Sequence, residues 1–158
     1  MSRADQARDY FKQGLNCAQA VVLAFSDLTG LDRETLLKLS APFGGGMGRM
    51  REVCGTVSGM MMVAGMVFYD PASPSSSEKS ALYAREQELA ARFRAQNGSI
   101  ICRELLAGVS TQPGTQAEAR TQEYYKKRPC AELCACAAQI LEEYLAEQGV
   151  LSSDGEKL

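Results

Sequence analysis

The chain has 158 residues, 46% of them hydrophobic, a formal net charge of −2, six cysteines and no histidine. That length supports one domain with a proper core and no need for disulfide staples. The near-neutral charge gives nucleic acid and bulk anionic membrane no electrostatic footprint, and the missing imidazole removes histidine general bases, facial triads and Ser-His-Asp chemistry.

The predicted elements are helical from end to end. Ser2 can cap a helix over 3–14 that stops at Gly14, and Asn16 can cap a second over Cys17–Leu28. In that second helix Ala20, Val21, Ala24, Phe25 and Leu28 recur at three and four. Asp32 starts a short third through Leu39. APFGGGMGRM follows as a glycine-rich loop, feeding a Met-rich helix from about Met50 to Phe68. Val53–Tyr69 is the most apolar stretch, but Gly, Ser and Thr dilute it, so a buried core helix is expected and not a membrane span.

The polar connection DPASPSSSEKS ends in a capping-box pattern, Ser75 with Glu78, opening a helix to about Gln96. Ser99 can cap a helix over 100–107. Thr115 with Glu118 forms a second capping-box pattern, for a helix to about Lys126. Pro129 suits the first turn of the last helix, which ends near Gly149. No strand pattern or internal repeat interrupts the series. The expectation is an all-α, single-domain bundle of roughly seven or eight helices over 1–149, with 150–158 a frayed tail.

MSRADQARDYFKQG lacks the apolar region of a secretory signal, so a cytoplasmic protein is expected, with its thiols kept reduced. Six cysteines in that setting favour redox chemistry, metal binding or plain burial over a static disulfide framework. Four predicted helices carry a cysteine near their start: Cys17, Cys54, Cys102 and Cys130. Free backbone N–H groups and the helix dipole at such positions stabilise a thiolate and lower its pKa. Arg49 and Arg51 neighbour Cys54 in sequence, and Arg103 neighbours Cys102. Cysteine is also among the most buried residue types, so packing as a small hydrophobe is the competing reading.

Cys134 and Cys136 lie deeper in the last helix. Two helical residues turn about 200°, so a Cys-x-Cys chelate does not form on a regular helix. Cys130 and Cys134 share a face at i and i+4, which makes Cys134 a helper and leaves Cys136 to the core. GGGMGR does not match a P-loop; its expected role is to let the chain approach Cys54 closely. Met47, Met50, Met60, Met61, Met62 and Met66 offer soft ligands for copper(I), but successive helical residues diverge and core packing explains them.

LNCAQAVV, FGGGMGRMREVCGTVSG, GSIICRELLAG and PCAEL before an Ala-rich helix stand in this order over about residues 10–145. Together they resemble the family of redox-active proteins known by its C-GCAxxG-C-C cysteine pattern. The family's central CGAxxG stands here as Cys54-Gly55-Thr56-Val57-Ser58-Gly59, with Thr56 in place of alanine. The resemblance carries the family's four cysteine positions onto Cys17, Cys54, Cys102 and Cys130. It implies a small cytoplasmic protein with thiol or cofactor redox chemistry. Some relatives are split-Soret cytochromes c; this chain has no CxxCH, so no c-type haem is expected.

Three functions follow. In the first, Cys130 and a partner among Cys17, Cys54 and Cys102 cycle between dithiol and disulfide, exchanging with a redox partner protein or a small thiol or oxidant. In the second, the same four thiolates bind zinc or an iron–sulfur cluster. In the third, the chain is a non-catalytic helical adaptor. A homodimer is compatible with the apolar Met-rich helix.

Overall fold

Short polar side chains start several of the helices by taking up backbone N–H groups that have no partner within the first turn. Ser2 accepts from the Asp5 N–H and opens α1 (Arg3–Lys12). Asn16 accepts from the Gln19 N–H while the Gln19 side chain accepts from the Asn16 N–H, a reciprocal box that opens α2 (Cys17–Ala24). Then come α3 (Ser26–Thr29), α4 (Arg33–Ser40) and α5 (Gly55–Phe68). Ser75 caps α6 (Ser76–Asn97), followed by α7 (Cys102–Leu105). Thr121 caps α8 (Gln122–Lys127), and Pro129 precedes α9 (Cys130–Glu147). The computed structural model describes residues 1–72 and 74–158, so Ser73 of the polar connection lies outside the described residues. Among the described residues there is no strand; the nine α-helices slightly exceed the seven or eight expected, and the fold is all-α.

The departures from expectation have local causes. The helix expected over Cys17–Leu28 breaks at Phe25, whose φ of −120° and ψ of 21° leave the helical region. The Ala24 carbonyl accepts instead from Arg3 Nη1 at 2.8 Å, and that buried guanidinium also pairs with Asp27 at 2.7 Å. The Met-rich helix starts at Gly55 because the preceding loop winds left-handed, with φ between 59° and 76° at Gly45, Gly46, Met47, Gly48 and Arg49. The capping box expected at Thr115 and Glu118 does not form: Arg49 and Arg128 take the Glu118 carboxylate, at 3.1 and 2.6 Å. Residues 150–158 fold back and do not fray: Leu151 is buried and bridges Lys157, and the Gly155 carbonyl accepts from Arg3 Nη2 at 3.0 Å.

In the packed molecule α1 lies along α9 and α2, and α2 lies along α5. Phe11, Phe25, Met60, Phe93, Leu141 and Leu145 are fully buried between them. No helix among the described residues is long and apolar enough to cross a membrane. Met60 is in the core, while Met61, Met62 and Met66 pack half-buried at its edge.

The contact that sets the site is α5 against α2. A Cβ built on Gly55 would lie 3.1 Å from both Cys17 Cβ and the Ala18 nitrogen; one on Gly59, a turn later, would lie 3.0 Å from Val21 Cβ. The two backbones approach closely because these positions carry no side chain. Gly65 on the same helix has nothing within 4 Å of such a Cβ. In urea unfolding, Gly59→Leu is expected to destabilise the fold by about 1–3 kcal/mol through overpacking. Gly65→Ala is expected to stabilise it by about 0.5–1 kcal/mol through helix propensity.

Candidate functional site

The four cysteines at helix starts meet. Cys17 is the first residue of α2, Cys54 the N-cap of α5, and Cys102 and Cys130 open α7 and α9. The α2–α5 contact sets Cys17 beside the start of α5. A short pairing of two extended segments fixes Cys54 next to Cys102. The Cys54 N–H donates to the Ile100 carbonyl at 2.8 Å, and the Cys102 N–H to the Glu52 carbonyl at 2.6 Å. Gly46, at φ 76°, lets the loop pass over Cys102, whose Cβ would be 2.7 Å from any Cβ there. All four cysteines line one cavity of about 60 Å³, together with Phe11, Arg51, Arg120, Tyr124 and Arg128.

Within this cluster Cys17 and Cys130 line the same cavity, and their ionisations affect each other. That interaction, ahead of burial, holds Cys130 well above the usual thiol range. Cys17 is pulled down by Cys130 but pushed up further by Cys134 and by burial, so it too ends well above that range. Burial pushes Cys54 up to about 11, against the Thr56 hydroxyl, which lies 3.1 Å from its sulfur. The residue that replaces the family's alanine is therefore a direct partner of this thiol. Burial likewise raises Cys102, although Arg51 Nη1, at 3.8 Å from the sulfur, acts to lower it.

The expectation of lowered thiol pKa values is thus overturned. The four cysteines do stand at helix starts, but taking a thiolate out of water outweighs the partial charge of a helix terminus. For Cys102 the helix is only four residues long and has little dipole to offer. The expected cations are also placed differently. Arg51 serves Cys102 and not Cys54, Arg103 pairs with Glu52 at 2.8 Å, and Arg49 reaches Glu118 and the Gly114 carbonyl.

Cys134 belongs to the cluster: it is fully buried, its ionisation and that of Cys17 affect each other, and its sulfur lies 4.0 Å from the Cys17 carbonyl oxygen. The signal was the i, i+4 spacing from Cys130. Cys136 was expected in the core; it is half-buried on another face of α9. There its thiol contacts Gln96 Oε1 at 3.3 Å and Asn97 Nδ2 at 3.4 Å on α6. Two arginines escaped sequence reasoning. Arg128 immediately precedes Pro129-Cys130, and only 5% of its side chain is exposed. Arg120 donates to the Phe11 and Leu15 carbonyls at 3.0 and 3.1 Å, with its guanidinium 4.3 Å from the centre of the Phe11 ring. For a metal, the donor set of four thiols on one cavity has suitable chemistry. As placed, however, no three Cys, Asp or Glu side chains among the described residues are grouped as ligands of one ion.

Comparison with known proteins agrees with the motif reading. The model of the family described as "Putative redox-active protein (C_GCAxxG_C_C)" matches residues 15–144. That span includes all six cysteines. No curated protein and no solved structure matches the chain. With most of its length covered, and Cys17, Cys54, Cys102 and Cys130 drawn to one cavity, the chain belongs to the C_GCAxxG_C_C family.

Proposed function

We propose that this protein is a thiol redox protein in which Cys17 and Cys130 pass between dithiol and disulfide. The observation that carries this reading is that Cys17 and Cys130, the first residues of α2 and α9, line one cavity together with Cys54 and Cys102. The chemistry is exchange with a disulfide substrate, RSSR. One thiol gives up its proton and attacks a substrate sulfur, forming a protein–substrate disulfide and releasing RS⁻, which takes up that proton. The second thiol then displaces the other RS⁻ and likewise supplies its proton. The protein loses two hydrogens and gains one S–S bond, and the substrate leaves as two thiols.

Burial gives this pair a defined character. Neutral thiols at pH 7 are poor nucleophiles, so they resist stray oxidants, and exchange speeds up as pH rises. Cys54 and Cys102 face the same cavity. The reading supposes a reducing cytoplasm. Four thiols on one cavity also match the ligand number of tetrahedral zinc or an iron–sulfur cluster, so the metal reading is the second to test.

Protein purified without oxygen and treated with a mild disulfide is expected to lose the mass of two hydrogens and to regain it with reductant. Cys17→Ser and Cys130→Ser should abolish that change, and Cys136→Ser should retain it. Stoichiometric zinc or iron, lost on changing any of the four cavity cysteines, would replace redox cycling with a metal centre. Neither result would leave a helical adaptor.

The raised thiol pKa values also link folding to pH. An unfolded thiol titrates near 8.5, well below the folded Cys54 at about 11. Above pH 8.5 the unfolded chain releases protons that the folded chain keeps. The stabilisation is therefore fully present below about pH 8.5 and lost as pH rises through about 11. The urea midpoint should fall over that window, and the fall should be shallower for Cys54→Ala. An equal slope in the variant would remove Cys54 from the account.

A further inference from the structure

Beside the thiol cavity lies a larger one, of about 240 Å³. The two share Asn16, Gly45, Arg51, Arg120, Tyr124 and Arg128 in their walls, so one leads into the other. Four guanidinium groups line the outer cavity, those of Arg49, Arg51, Arg120 and Arg128, against a single carboxylate, Glu118. That one carboxylate is divided between Arg49 at 3.1 Å and Arg128 at 2.6 Å. Arg128 Nη2 is buried, and its approach to Glu118 is an ion pair without hydrogen-bond alignment, so its N–H groups there are unsatisfied. Arg120 spends its donors on neutral carbonyls, and among the described residues the Arg51 guanidinium donates only to the Cys102 sulfur.

The lining of this cavity therefore carries a net charge of about +3, and Arg51 and Arg120 have no ion-pair partner among the described residues. Gathering unpaired cations out of water is costly, and an anion seated among them removes that cost. Planar guanidinium donors suit a carboxylate, which can accept from two at once. The cavity equals the liquid volume of roughly eight waters, the scale of a small molecule and not of a protein segment.

We infer that the outer cavity seats the carboxylate of a low-molecular-weight anionic disulfide, the substrate of the thiol cavity behind it, with Arg51 at the junction as its main contact. The anion site stands on the arginine geometry alone; the disulfide half rests on the redox function proposed above. In the exchange the dithiol is oxidised to one disulfide, and the bound substrate is reduced and leaves as two carboxylated thiols.

The probes are dithiodipropionate, which is anionic, bis(hydroxyethyl) disulfide, which is neutral, and thiodipropionate, an unreactive thioether of the same charge. The protein should be oxidised about tenfold faster by the anionic than by the neutral disulfide, an advantage that shrinks with added salt. Arg51→Gln should level the two rates, and Arg51→Lys should restore part of the difference. Titration calorimetry should show saturable thiodipropionate binding, lost in Arg51→Gln. If that variant does not fold, Arg49→Gln, on the far wall, takes its place in both measurements. Equal rates with no thiodipropionate binding would overturn the anion site and leave the redox function standing. Thiodipropionate binding with no oxidation by either disulfide would uphold the anion site and overturn the disulfide substrate together with the redox function.

Discussion

The backbone of α5 can lie against α2 only because positions 55 and 59 have no side chain, and the rest of the site depends on that approach. It sets the start of α5 beside the start of α2, and so Cys54 and Cys17 on a common cavity. The long last helix packs along α1 and α2, which brings Cys130 to Cys17. The paired extended segments around Val53 and Ile101 then fasten Cys102 to the wall. Four sulfurs distant in sequence become neighbours through two glycines, one backbone pairing and one helix packing.

The loop over this cluster stores strain. Met47, Arg49 and Arg51 hold φ values of 67°, 62° and 62°, a region that costs an L-residue roughly 1–2 kcal/mol each. Backbone bonds sustain it: Gly48 to the Pro42 carbonyl at 2.7 Å, Arg51 to Gly45 at 3.1 Å and Glu52 to Gly46 at 2.8 Å. This conformation turns Arg49 toward Glu118 and Arg51 toward Cys102. Strain concentrated where side chains are aimed at a cavity is the pattern of a functional loop. It is also why the thiols can be buried and neutral while positive charge stands just outside them.

Much of this was legible in local signals. Caps at Ser2, Asn16 and Ser75 mark helix starts because a short side chain either reaches the orphan N–H groups or does not. The four cysteines could be picked out by position alone. Their ionisation could not, since burial depends on what the other helices bring, and here burial exceeds the helix-terminus effect at Cys54 and Cys102. Glu118 shows the same limit. Its spacing from Thr115 reads as a capping box, yet two arginines distant in sequence claim the carboxylate. Arg120 and Arg128 carried no motif, and Cys136 gave no sign that Gln96 and Asn97 would hold it at the edge of the core.

The central claim is that Cys17 and Cys130 form the working pair. Its most direct test is to oxidise the protein fully, digest it in acid where exchange is frozen, and sequence the linked peptides. The account predicts one dominant intramolecular link, between the peptides carrying Cys17 and Cys130. Oxidised protein in which both remain free thiols, or in which the bond joins two copies of the chain, would contradict it.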